Sequence, residues 1–215
     1  MNATPERPAA AIAEDAEFGS RHSRASAAAV AVIATAWSLF QLSLPQFVML
    51  ASHYVRAIHL AFAISLVYLS FPALKRLRGT GRLSFLSAKQ RLPALDVLLA
   101  ILAGAAAAYY ALDYEGIGAR QGAPVPGDLA VGIVLIVLLL EAARRALGWA
   151  MTAVAGLFIA YGLFAEQMPE LLAFRSVSPA RMVGQLTLST EGIYGVPLGV
   201  SASTVYLFVL LGAML

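Results

Sequence analysis

The chain has 215 residues, of which 60% are apolar and only 13% charged, against about 25% charged in an ordinary soluble domain. Mean hydropathy is +0.77 and the apolar residues fall in long blocks, which excludes a soluble domain; ten-residue alternating segments, the mark of a transmembrane barrel, are not seen. The chain has no cysteine, which excludes disulfides, thiolate metal sites and cysteine nucleophiles. The formal net charge of +3 comes from basic residues gathered between apolar blocks, which points to membrane topology and not to nucleic acid.

A span needs about 20 apolar residues to cross roughly 30 Å of hydrocarbon. Several such blocks exist, so the expected fold is all-α: a polytopic helical membrane protein with about five to six transmembrane helices and a cytoplasmic N-terminus. Residues 1–24 are polar and small and read as a mobile tail. They make a poor signal-peptide n-region, being long and carrying acids.

Ala25–Leu44 is the first span, ended by Pro45, which lacks the amide donor a helix interior requires. Gln46–Arg56 reads as a short connection containing Ser52, His53 and Arg56, and Ala57–Leu74 as the second span. The stretch Lys75–Arg91 holds Lys75, Arg76, Arg78, Arg82, Lys89 and Arg91 and no acid. Short loops rich in Lys and Arg stay on the cytoplasmic side, and this one orients the whole chain.

Pro93–Leu112 is the third span, with Asp96 in its first turn; a proline and an acid both suit a helix start. Tyr109, Tyr110 and Tyr114 at its far end read as an interfacial aromatic belt. Asp113–Asp128 is mixed in sign and rich in glycine and proline, as an outer loop should be. Leu129–Leu147 is the fourth span. Its purely apolar part, Leu129–Leu140, rises only about 18 Å at roughly 1.5 Å per residue, so Glu141–Leu147 must complete it with Arg144 and Arg145 snorkelling to the inner headgroups. Gly148–Ala165 is the fifth span, and Glu166–Thr190 an outer segment with a short interfacial helix around Pro179–Leu188. Glu191–Leu215 re-enters the membrane, its first half broken by glycines and Pro197.

Four groups of residues offer chemistry. Glu141 with Arg144 and Arg145 stands at i,i+3 and i,i+4 spacing. It reads either as a relay in the membrane or as a charge pair closing a helix at the inner interface. His53 and His59 stand at i,i+6, a spacing that does not bring two metal ligands onto one helical face. Ser201 in Gly199-Val200-Ser201-Ala202 resembles the serine of an intramembrane protease, but no histidine follows it; His53 or His59 would serve only in an unusual arrangement. Glu191 with Gly195, Pro197 and Gly199 reads either as a broken helix bordering an ion or substrate site or as an acid and a glycine-proline hinge leading into a span. These spacings carry no expected catalytic or metal-ligating residues, and the chain is not expected to be an enzyme.

Three blocks together resemble the fused permeases of TAXI-type TRAP transporters, which are tripartite secondary transporters served by a periplasmic binding protein. The first is Tyr114-Glu115-Gly116-Ile117, followed by Arg120, Gly122, Pro124 and Asp128. The second is Leu140-Glu141-Ala142-Ala143-Arg144-Arg145 with Gly148-Trp149, and the third runs from Thr190 through Gly199-Val200-Ser201 to Phe208, Gly212 and Ala213. The likeness covers about Ala25 to Leu215 and leaves the mobile cytoplasmic tail over 1–24 unmatched; it implies a four-helix small-subunit-like region over 25–147, a connecting span and outer segment over 148–190, and the start of a large-subunit-like transport domain over 191–215. It further implies import of small organic acids, sodium as coupling ion, and a multi-pass place in a bacterial inner membrane. The implied partners are a TAXI-type substrate-binding protein, the remaining large-subunit helices and the lipid bilayer, with no nucleic acid. The large subunit should continue beyond Leu215, so the chain is expected to be the scaffold portion of a truncated or split gene, and no residue is carried over as a sodium or substrate ligand.

Overall fold

A computed structural model describes residues 24–44, 49–71, 94–120, 122–170 and 173–215. Residues 1–23 of the tail, Pro45, the Lys75–Arg91 loop and Pro93 lie outside the described residues, and Arg24 opens the first helix. The helices are α1 (Arg24–Ser43), α2 (Ser52–Ser70), α3 (Ala94–Leu112), α4 (Tyr114–Ala119), α5 (Pro126–Leu147), α6 (Trp149–Phe164), α7 (Pro179–Thr187), α8 (Val196–Val200) and α9 (Tyr206–Met214). A 3₁₀ turn, Ala165–Gln167, extends α6, and a π turn, Ser201–Val205, joins α8 to α9.

Among the described residues, five helical stretches are long and apolar enough to cross a membrane: Ser52–Ser70, Ala94–Leu112, Pro126–Leu147, Trp149–Gln167 and Val196–Met214. In α1 the shorter stretch Ala27–Ser43 is also apolar. The fold is thus an all-helical, multi-pass membrane architecture.

The core is formed by α2, α3 and α5. Along α3 the buried positions are Ala100, Ala103, Ala106, Ala107, Tyr110 and Ala111, a helical stripe of mostly small side chains that lets backbones approach where lipid gives no hydrophobic drive to helix pairing. Ser65 on α2 donates to the Ala100 carbonyl at 3.1 Å, and Tyr68 donates to the Leu138 carbonyl of α5 at 2.8 Å. By contrast, α6 has no buried residue. The joint between α5 and α6 is Gly148, at φ +88°, a left-handed backbone that costs a side chain dearly and glycine little.

Four expectations are corrected. First, α2 begins at Ser52, so His53 and Arg56 belong to the helix and not to a connection. Their polarity suggests a loop, but each has a partner: His53 stacks on Tyr114 at 3.7 Å, and Arg56 donates to the Tyr194 carbonyl at 2.7 Å. Second, the Asp113–Asp128 stretch is not wholly loop. It contains α4, and Asp128 lies in the first turn of α5, where its carboxylate accepts the Val125 N–H at 3.2 Å. Third, Tyr110 is buried at 4% exposure rather than facing a headgroup layer. Fourth, Gly199 sits within helix, and the irregularity falls later, at Ser201–Val205.

Candidate functional site

Each end of the α3–α5 pair is closed by an arginine. At one end Glu141 accepts from Arg144 Nε and Nη2 at 2.7 and 2.6 Å, and from Arg145 Nε at 2.8 Å. Arg145 does not snorkel outward. Its Nη1 turns inward to Asp96 Oδ1 at 2.8 Å and to the Phe71 carbonyl at 3.1 Å, and its guanidinium lies 4.6 Å from the Tyr68 ring. The side chains of Arg145 and Asp96 are 3% and 2% exposed. A buried pair of this kind has paid heavy desolvation and holds only with good geometry. Arg144 lies over the Trp149 ring at 5.1 Å. Glu141, Arg144 and Arg145 therefore meet as their spacing suggests, and Asp96 joins them from α3.

At the other end Arg120 Nη2 reaches Asp113 at 2.6 Å and Asp128 at 3.0 Å, while Tyr109 donates to Asp128 at 2.6 Å. The Asp128 and Asp113 carboxylates hold the Arg120 guanidinium in its charged form more firmly than usual. This network ties α3, α4 and α5 together.

Between these ends the Glu191–Gly195 turn plugs into the bundle. Tyr194 is fully buried, stacks on Tyr110 at 4.3 Å, and donates to the Ala107 carbonyl at 2.7 Å. Ile193 N–H donates to the Leu186 carbonyl at 2.8 Å, which presses Gly192 against the backbone of Leu186 and Gln185 so closely that any Cβ would collide. Gly195 is buried, and its N–H closes the turn on the Gly192 carbonyl at 3.0 Å. Pro197 stands exposed in the first turn of α8, where a missing N–H costs nothing. Gly199 lies against the Arg56 guanidinium. Glu191 is exposed at the rim of the turn. The turn leads into the apolar stretch Val196–Met214.

The π turn meets α1 and α2 in a polar cluster. Gln41 Nε2 donates to the Ala202 carbonyl and lies 3.3 Å from His59 Nδ1; His59 Nε2 lies 3.5 Å from Ser201 Oγ. Ser38 spends its hydroxyl proton on the Ala34 carbonyl at 3.0 Å, so Tyr206 OH donates to Ser38 at 3.0 Å. Gln41 also lines a cleft of about 990 Å³ between the end of α1, the start of α2 and α8–α9, with Arg56, Gly199, Ser203, Leu207 and Phe208.

His59 thus reaches Ser201 across 142 residues of sequence, a pairing that spacing alone does not reveal. With Gln41 oriented toward the Ala202 carbonyl, the pair is not arranged as a nucleophile and its base. Gln41 Nε2 is a donor only, so Nδ1 must accept, the ring proton sits on Nε2, and His59 donates to Ser201. A general base needs the opposite tautomer, normally held by a carboxylate. His53 stacks separately on Tyr54 and Tyr114. No protein-family model matches the chain, and no curated protein or solved structure matches it.

Proposed function

We propose that the chain is the scaffold part of a membrane permease of the TRAP type, and that the segment from Glu191 onward begins its transport domain. The observation that carries this reading is the Glu191–Gly195 turn: Tyr194 anchors it in a bundle closed at both ends by arginine networks, and it leads directly into a membrane-length helix, Val196–Met214, that carries a π turn at Ser201–Val205. Single π turns inside α-helices are frequent at functional sites. A rigid body holding the root of such a helix is what a scaffold must provide. The three sequence blocks that resemble TAXI-type fused permeases support the same assignment. Two of them hold residues of the arginine networks and the third is the anchored turn.

On this reading the N-terminus and the Lys75–Arg91 loop face the cytoplasm of a bacterium, and the Arg120 end faces the periplasm. A periplasmic TAXI-type binding protein delivers a small organic acid, and a sodium gradient drives its import. The bundle has no catalytic role. The test is sodium-driven uptake of organic acids into proteoliposomes with the cognate binding protein. The chain alone should give none, and uptake should appear when large-subunit helices are supplied in trans or by fusion. Saturable uptake by the chain alone would refute the scaffold assignment. Failure with the helices supplied would favour a non-transporting assembly protein, for which the two arginine networks would serve rigidity only.

A further inference from the structure

We infer that His59, Gln41 and Ser201 form a proton-binding site that latches the π turn: neutral His59 holds it to α1, and protonated His59 releases it. The inference stands apart from the transport reading, because it rests on this cluster alone.

His59 is 4% exposed and Gln41 is 1% exposed. Gln41 directs one amide nitrogen at two acceptors, the Ala202 carbonyl and His59 Nδ1, while its Oε1 is buried with no hydrogen-bond partner. The orientation follows from Ala202: turned the other way, Oε1 would face a carbonyl oxygen. This arrangement requires a lone pair on Nδ1. A proton arriving there places two donors head to head, Nδ1–H against the Gln41 NH₂. The imidazolium is satisfied only when the amide rotates and presents Oε1 to it. That rotation turns Oε1 toward the Ala202 carbonyl too, so the Gln41–Ala202 bond and the imidazolium cannot coexist. Ser201 accepts from Nε2–H in both states and does not oppose the change.

The released segment is the irregular one. In the π turn Tyr206 N–H bonds to the Ser201 carbonyl, five residues back, and such turns hold one residue more than an α-helix needs. Two ties bind this segment to α1: Gln41 to Ala202, and Tyr206 to Ser38 with the Trp37 ring 4.5 Å from that of Tyr206. Loss of the first leaves the second as a pivot. Protons have a route, because Gln41 and Ala202 both line the open cleft. Among the described residues, no charged side chain faces His59 from α1, the π turn or α9. Tyr206, with ring centroids 5.7 Å apart, is the titratable neighbour, and Arg56, one turn earlier on α2, is engaged at the Tyr194 carbonyl.

The test uses the full chain in phospholipid nanodiscs. With three histidines in the sequence, ¹⁵N-histidine spectra of a His22→Gln, His53→Gln variant report His59 alone. Spin labels on cysteines at Leu39 and Val209, both exposed, report the α1–α9 distance. Between about pH 8 and about pH 3, His59 should pass from the Nε2–H tautomer to imidazolium, and the distance distribution should lengthen with the same midpoint. His59→Gln should keep one distribution at both pH values, and Gln41→Leu should give the long one at both, with helix content unchanged by circular dichroism. An Nδ1–H tautomer at the higher pH, no titration in this window, or titration without a distance change would each overturn the proposal.

Discussion

Arg145 does more for the bundle than its place near a helix end indicates. It joins Asp96 of α3, Glu141 of its own helix, the Phe71 carbonyl after α2 and the Tyr68 ring. The two acids it touches differ in burial, with Asp96 at 2% and Glu141 at 30% exposure. Removing one partner of a buried pair strands the other charge, at about 3–5 kcal/mol, whereas a solvated pair is worth roughly 0–1 kcal/mol. Asp96→Asn should therefore destabilise far more than Glu141→Gln in reversible unfolding from mixed micelles. An Asp96→Leu, Arg145→Leu double variant should recover most of the loss. Equal costs for the two single changes would mean that Arg145 draws its support from Glu141 and not from Asp96.

At the scale of elements, the apolar blocks mark the long helices to within a few residues, because length and hydropathy alone decide what can span a bilayer. Three features escape that logic. The first turns of α2, with Ser52, His53 and Arg56, look like loop until their partners on α4 and the Tyr194 turn are known. The Asp96–Arg145 pair spans 49 residues; the available signal was an acid inside an otherwise apolar helix, which demands a partner. The His59–Gln41–Ser201 cluster joins three elements, and no spacing rule reaches across them. In the sequence Gly148 marks only the start of the fifth span, and its positive φ makes it testable. Gly148→Ala should cost roughly 1–3 kcal/mol and lower the thermal midpoint, because ψ of −177° beside the positive φ is a backbone that only glycine adopts readily. An unchanged midpoint for Gly148→Ala would mean that the α5–α6 joint relaxes without strain.

Among the described residues, burial is concentrated in α2, α3 and α5, while α6 and α9 have no fully buried residue. A permease scaffold stays fixed while other elements move around it, and the α2–α3 contact allows that to be tested without disturbing the arginine networks. Ser65 Oγ lies 2.8 Å from where a Cβ on Gly104 would stand, close to the geometry a disulfide requires. The chain has no native cysteine to interfere. For the proposed scaffold role the decisive measurement is sodium-driven uptake by a fusion of the chain to large-subunit helices, carrying Ser65→Cys and Gly104→Cys, before and after oxidation. If the bundle is a static scaffold, uptake persists when the pair is fully cross-linked. Uptake that stops on oxidation and returns on reduction would show that α2 and α3 move during transport, and would contradict the scaffold assignment.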